Sequence, residues 1–340
     1  AARIHYRPGL RVEAIERTTR RLRLQGGKTL AYERLLLATG AQPRALSCPG
    51  GETALPLRTH ADAMRLFQAC GPTAKVVVIG AGLIGMELAA VLREQGAAVT
   101  VVEAGPRALG RAVPEAIAQR LQDQHSAAGV DLRFNVGVRA IEGGQVLLAD
   151  GTALPADAVV AAIGVVPDTR LAEAAGLAVD NGIVVDAALA TADPHIFAAG
   201  DCARFACARS GQTLRLESWQ NARAQAEHAA RAMLGATDAF DAVPWFWSDQ
   251  FGLGLQIAGW PDAQRPLQAR QIDDAGTTLW FQQAGTVDGS GALSAVCGLG
   301  PGNRVGKDIK LAQRLIERRT PVSADALADP AVSLKSLLKA

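Results

Sequence analysis

The stretch that most restricts what this chain can become is Lys75-Val-Val-Val-Ile79, followed by Gly80-Ala-Gly82-Leu83-Ile84-Gly85 and Met86-Glu87-Leu88-Ala89. An apolar strand runs into a glycine turn, the turn opens an apolar helix, and a second strand, Ala98-Val-Thr-Val-Val102, ends in Glu103. Strands joined through a helix pair in parallel, so this segment demands a parallel sheet with covered faces. Each glycine has a separate task. Gly80 permits the tight turn, Gly82 removes a side chain where a pyrophosphate must approach the backbone, and Gly85 lets helix and strand pack closely. The helix N-terminus presents free N–H groups and the positive end of its dipole to phosphate. Glu103 lies 103 − 85 = 18 residues past the last glycine, near the spacing of about 20 expected of an acid that binds the adenosine ribose. The segment reads as a dinucleotide site.

At 340 residues the whole chain is long enough for two to three domains. Apolar residues make up 49% and charged residues 20%, the composition of a globular rather than a disordered chain. Lys+Arg 35 against Asp+Glu 33 leaves +2, which is not the balance of a protein that neutralises nucleic-acid phosphates. No apolar run approaches the ~20 residues of a membrane span. The start, AARIHYRPGLRVEAIERTTRRLRL, carries charges throughout and has no apolar core of a signal peptide. A cytoplasmic protein is expected, with no membrane or nucleic-acid partner.

Five cysteines, Cys48, Cys70, Cys202, Cys207 and Cys297, form no C-x-x-C pair. Cys202 and Cys207, with four residues between them, have the spacing of the redox pair of flavin disulfide reductases. Isolated reduced thiols are the better reading, because nothing nearby would lower their pKa values. The five histidines are scattered without metal-ligand spacing.

Short strands are expected at 10–15, 20–24 and 35–38, then a Pro/Gly-rich connector over 41–51. Turn signals at Gly143-Gly144 and Asp150-Gly151 mark a hairpin region over 138–154. Buried strands at 158–163 and 195–199 end at Gly164 and at Gly200-Asp201, and 217–234 is an Ala-rich helix. After Pro244, alternating strands carry Trp245, Trp247, Trp260 and Trp280, and a helix follows over 305–318. Two strand ends stand out as ligand contacts, Ala38-Thr39-Gly40 and Gly200-Asp201. Glycine there allows close approach, and a carboxylate accepts hydrogen bonds from hydroxyls.

The order A-T-G, G-x-G-x-x-G, A-I-G-x-x-P (162–167) and I-F-A-A-G-D resembles the FAD-dependent pyridine-nucleotide reductases. Arg58-Thr59 with Asp62, then 217–222 (ESWQNA) and 243–250 (VPWFWSDQ), resemble the ferredoxin and rubredoxin reductase branch, especially the reductase components of bacterial aromatic-ring dioxygenases. The resemblance spans the whole chain. It implies an α/β fold of glutathione-reductase type, with two dinucleotide-binding domains and a C-terminal α+β interface domain. Residues 1–43 and 165–243 would form the FAD-binding domain, 44–164 the NAD-binding domain, and 244–340 the interface domain. The family begins with a further strand and glycine turn that holds the FAD pyrophosphate. Only one such fingerprint stands here, so the FAD half is expected to be incomplete, and the chain as given is expected to bind NADH but retain little FAD.

The resemblance also implies that NADH delivers hydride to FAD and that electrons leave singly to an acidic iron–sulfur ferredoxin or a rubredoxin. NAD would be held by Gly80, Gly82, Leu83, Ile84, Gly85, Glu87, Glu103, Arg111, Ile163 and Gly164, with Glu87 on the nicotinamide carboxamide. FAD would be held by Ala38, Thr39, Gly40, Arg58, Asp201, Glu217, Ser218, Trp219 and Trp247. Glu87 and Trp247 would lie beside the reacting rings, with no acid/base residue required. The plainer alternative for Trp219 and Trp247, a core aromatic, is the less favoured one. A flavin NADH oxidase, a disulfide reductase and a non-catalytic NAD-binding fragment are the rival readings. Glu103 favours NADH over NADPH, although Arg107 lies near. Arg304, Lys307, Lys310, Arg314 and Arg318 fall on one stripe of the last long helix, opposite Val305, Ile309, Ala312 and Ile316.

Overall fold

The structure, a computed structural model, describes residues 4–110, 113–262, 265–287 and 290–339. They divide into two compact units, one formed by 1–42 with 166–242, the other by 43–165 with 243–340.

In the larger unit, five parallel strands stand in the order Leu55–Pro56, Ala158–Ala161, Lys75–Ile79, Ala98–Val102, Asp131–Arg133. The Val-rich central strands are buried on both faces, as parallel strands must be. Val76, Val78, Val99 and Val101 face helices α1 (His60–Ala69), α2 (Leu83–Glu94) and α3 (Glu115–Ala127). Val77, Ile79 and Val102 face an antiparallel layer made of Val138–Glu142, Gln145–Leu148 and Ala153–Pro155. The two turn signals over 138–154 therefore produce three strands. Fully buried His125 ties α3 to α2, with ring nitrogens 2.8 Å from Leu121 O and 3.0 Å from Met86 O.

The same unit contains an antiparallel sheet running Trp245–Gln250, Leu253–Gly259, Ser290–Pro301, Thr278–Val287, Gln268–Gln271, with Pro321–Ser323 on the third of these. Alternation decides its two faces. Leu279, Phe281 and Val296 meet the Gly306–Arg318 helix through Val305, Ile309, Ala312, Leu315 and Ile316. Leu255, Ile257, Trp280, Cys297 and Leu299 join the core that α2 and α3 form over the parallel sheet. The segments expected as separate NAD-binding and interface domains thus share one apolar core. Arg120 of α3 adds to the junction, donating to Gly276 O (2.7 Å) and Thr278 Oγ1 (3.1 Å) and lying over the Trp280 ring.

The residues Arg58-Thr59 and Asp62 turn out to make local structure. Thr59 caps α1, its hydroxyl accepting from Asp62 N (3.1 Å) while Asp62 Oδ2 accepts from Thr59 N (2.8 Å) and Arg58 N (3.2 Å). The Thr59 hydroxyl and then its amide hold the Asp62 carboxyl down at about 2. A folded-state pKa below the unfolded value stabilises above the unfolded value and loses that stabilisation as pH falls through the folded one. The Tm gap between the wild type and Asp62→Asn should therefore be full near neutrality and close between about pH 4 and pH 2. A gap independent of pH over that window would contradict the capping role.

The smaller unit has its own core around Leu37, Ile183, Ile196, Phe205 and Ala229. An antiparallel sheet, Val12–Glu16, Arg21–Leu24 and Thr29–Ala31, precedes Leu35–Leu37, which pairs in parallel with Ile196–Ala198. Ile183–Val185, Ala203–Ala206 and Thr213–Leu214 form a third sheet. The Trp219–Met233 helix starts at its cap, Ser218, whose hydroxyl accepts from Asn221 N.

Candidate nucleotide and cofactor sites

Register brings the first site together. Val78 and Ile79 pair with Val160 and Ala161 on one side, and Ile79 pairs with Val102 on the other. Gly80, Ala162-Ile163-Gly164 and Glu103 therefore all leave the carboxyl edge of the parallel sheet side by side, where ligands bind in open α/β folds. Gly80 takes φ +104°, and a Cβ there would lie 2.5 Å from Ala162 O. A Cβ on Gly85 would lie 2.0 Å from Gly80 O, so helix and turn touch backbone to backbone. Gly82 differs, because a Cβ there would meet nothing within 4 Å. Its bareness serves no contact inside the protein and leaves the backbone at the helix start open to a ligand. The first-turn amides of α2 have no intrahelical acceptor, so Gly82, Leu83 and Ile84 offer donors and a positive dipole end. Gly164 is exposed, with φ +94° and open space about it.

The Glu103 carboxylate is held at both oxygens. Oε2 accepts from Ala81 N (2.9 Å) and Oε1 from Gly105 N (2.8 Å), which fixes it beside the glycine turn with lone pairs to spare for hydroxyl donors. Arg107 is occupied, since Nη1 donates to Ala108 O and Nη2 to Gly110 O and Val113 O, each at 3.2 Å. Arg111 lies outside the described residues.

Glu87, on the second turn of α2, is partly exposed. Its Oε1 accepts from Ser248 Oγ (2.7 Å) and Asp249 N (3.1 Å). Ser248 and Gln250 were not singled out in the sequence. Strand alternation was the available signal, since 248 and 250 must share the face opposite Trp247. Trp247 is 46% exposed and stacks on Trp245 with ring centroids 5.3 Å apart.

In the smaller unit, Leu37 pairs with Ala198, so Ala38-Thr39-Gly40 and Gly200-Asp201 emerge together from neighbouring parallel strand ends. Gly200 N donates to Oε1 of buried Gln225 (2.8 Å), which seats the turn on the Trp219–Met233 helix. Gln225 is another residue that its sequence context did not reveal. Thr39 Oγ1 donates to Asp168 O (2.5 Å). Glu217 pairs with Arg215 (2.7 Å), whose Nη1 also donates to Asp201 O (3.2 Å). Trp219 is 67% exposed beside Arg223. Neither Trp219 nor Trp247 is a core aromatic, because each is exposed and absent from the apolar cores. The residues named for FAD are divided, with Ala38, Thr39, Gly40, Asp201, Glu217, Ser218 and Trp219 in the smaller unit and Arg58 and Trp247 in the larger.

The cysteines are free thiols. Cys202 and Cys207 are both buried, and Cys202 Sγ donates toward Ala199 O (3.3 Å). Among the described residues no group of three or more His, Cys, Asp or Glu could hold a metal ion, and no helix is long and apolar enough to cross a membrane.

Comparison with known proteins agrees with this architecture. Residues 2–226 match the pyridine nucleotide-disulphide oxidoreductase family, and residues 245–338 match the reductase C-terminal family. The anthranilate 1,2-dioxygenase system ferredoxin–NAD(+) reductase component of Burkholderia cepacia is 41% identical over 99% of this chain and 83% of its own length. Putidaredoxin reductase of Pseudomonas putida is 35% identical, over 98% of this chain and 79% of its own. Among solved structures, the ferredoxin reductase for the CYP199A2 system of Rhodopseudomonas palustris superposes with a TM-score of 0.89 at 36% identity, covering 96% of this chain and 80% of that one. A covalent putidaredoxin reductase–putidaredoxin complex gives 0.88 at 34%, covering 97% and 80%. With its bare glycine cradle, its backbone-held acid and matches to both family regions, the chain belongs to the pyridine nucleotide-disulphide oxidoreductase family, in the group of ferredoxin reductases.

Proposed function

We propose that the chain is an FAD-dependent NADH:ferredoxin oxidoreductase, passing electrons to an acidic [2Fe–2S] ferredoxin or a rubredoxin and serving an aromatic-ring-hydroxylating dioxygenase in the cytoplasm. The observation that carries the reading is the cradle at Gly82, which is empty of protein contacts and bordered by the fixed carboxylate of Glu103. The relatives' names supply the acceptor class. The domain reading follows: 44–164 binds NAD, 1–43 with 165–243 contributes to FAD binding, and 244–340 meets the partner.

The residues present fit NAD, and they fit the ring and polyol portion of FAD. Glycine turns at 40 and 200, the Asp201 carboxylate, the capped helix start at Ser218 and the exposed face of Trp219 suit a flat ring system carrying a polyol. Bound FAD supplies the conversion of a two-electron hydride into single electrons. This chain's own residues bind and orient. The α2 amides hold the pyrophosphate, Glu103 holds the ribose hydroxyls, and Ile163-Gly164 leaves backbone-close room for the nicotinamide. Glu87 accepts from the carboxamide. The positive end of the Trp219–Met233 helix dipole favours negative charge beside it. Buried, carbonyl-bonded Cys202 gives no support to a disulfide reductase.

The proposal is tested by mixing the protein with FAD, NADH and a [2Fe–2S] ferredoxin and following loss of the oxidised cluster's absorbance. Reduction supports it. NADH binding without any reduction leaves the non-catalytic reading, and turnover of disulfides instead would overturn it. The same assay tests the basic stripe. Lys307, Lys310 and Arg314 are exposed on the Gly306–Arg318 helix, while Arg304 is paired with Asp273 (3.1 Å). Reversing Lys310 and Arg314 to glutamate should slow ferredoxin reduction about tenfold at low salt and flatten its salt dependence. An unchanged rate and slope would make the stripe mere solvated surface.

A further inference from the structure

From the hydrogen bonds on Glu87 we infer that Ser248 and Gln250 are positioning residues for the nicotinamide, acting through that carboxylate; the inference rests on the proposed role of Glu87. Glu87 and Ser248 lie 161 positions apart in the chain, yet their side chains meet at 2.7 Å. A carboxylate has no proton to give, so the bond must use the single hydroxyl proton of Ser248. Ser248 is then left as an acceptor, and Gln250 Nε2 fills that place at 2.9 Å. The order is forced: amide donates to hydroxyl, and hydroxyl donates to carboxylate. Ser248 and Gln250 are 0% and 1% exposed, so water does not compete for either link. Asp249 N adds a second donor to the same Oε1 at 3.1 Å.

All this protein donation falls on one oxygen. Oε2 of Glu87 makes no hydrogen bond among the described residues, on a side chain partly open to solvent. Glu87 stands five residues beyond Gly82 on α2, about 7 Å along the helix axis from the pyrophosphate cradle. One acceptor is therefore left for a ligand, on a side chain held by two donors and set a little more than one turn beyond the cradle where the phosphates of a dinucleotide would lie. A free glutamate side chain loses rotamer entropy when it binds, and here the buried pair removes that freedom beforehand.

The test compares NAD+ with ADP-ribose, which fills the cradle and the ribose site but lacks the nicotinamide. Dissociation constants are measured by titration calorimetry on the whole chain, with Tm as a check of folding. Glu87→Gln keeps an oxygen for Ser248 and Asp249 but replaces the free acceptor with a donor. It should weaken NAD+ about tenfold and leave ADP-ribose unchanged. Ser248→Ala should weaken NAD+ by about fivefold, again sparing ADP-ribose, and should add nothing on the Glu87→Gln background. Gln250→Leu, which leaves both bonds to Glu87 in place, should produce a smaller loss of the same kind. Should Ser248→Ala fail to fold, this variant carries the comparison. Equal weakening of both ligands would show a merely structural role and overturn the inference. A neutral result for Ser248→Ala and Gln250→Leu with an effective Glu87→Gln would overturn the relay alone. A neutral Glu87→Gln would overturn the reading of Glu87 and the relay with it.

Discussion

Alanine at Gly82 should leave the Tm of the protein unchanged and weaken NADH binding by at least about tenfold, the equivalent of 1.4 kcal/mol. Gly82 has φ −75°, which alanine adopts without strain, and its new methyl would meet no protein atom within 4 Å. The only thing it can displace is a ligand lying on the backbone. Gly85→Ala is the contrasting case. Its methyl would fall 2.0 Å from Gly80 O, and backbone cannot yield as a side chain end does. Forcing atoms into a packed site costs about 1–3 kcal/mol or more, so this variant should lose stability together with binding. Calorimetry for Tm and titration for NADH separate the two. A Gly82→Ala protein that binds NADH as well as the wild type would remove the cradle from the site.

NADH should bind about a hundredfold more tightly than NADPH, and Glu103→Gln should reduce that preference to about fivefold. Two unit charges about 5 Å apart at an effective dielectric near 20 repel by about 3 kcal/mol, before salt screening. Glu103 cannot swing aside to relieve this, because Ala81 N and Gly105 N hold its two oxygens. Arg107 cannot neutralise the added phosphate, being spent on three carbonyls of its own loop. Dissociation constants for both nucleotides decide the matter. Tighter binding of NADPH by the wild type would refute the assignment of Glu103.

What could be read from the sequence was what local pattern determines. The path from Lys75 to Glu103 is one βαβ unit, and its glycines announce both the turn and the ligand. The basic and apolar faces of the last long helix follow from its period in the same way. Contacts between distant segments were not legible. Apolar periodicity shows that Leu255 and Ile257 must be covered, but not that α2 and α3 cover them. Ser248 follows a tryptophan that dominates its motif, and nothing local marks its hydroxyl as reaching Glu87. Thr59 and Asp62 belong to the motif that carries the family resemblance, and their cap of α1 gives that motif a physical reason. Trp219 was ambiguous because a tryptophan at a helix start is apolar enough for a core and flat enough for a ligand, and only its exposure separates these.

The core shared by the parallel sheet's helices and the antiparallel sheet has a consequence for engineering. The last hundred residues are not an interchangeable module. A chimera that takes them from a relative, in order to change the electron acceptor, would bring foreign counterparts of Leu255, Ile257, Trp280 and Leu299 against the native α2 and α3, with mismatched volumes. Such grafts should lose several kcal/mol unless the facing residues of both helices travel with them. The coupling also works in favour of the native chain. Nucleotide held at the start of α2 stabilises whatever unfolds with α2, so NAD at a hundred times its Kd should protect the antiparallel sheet from proteolysis by about 2.7 kcal/mol, although no atom of the ligand need touch it.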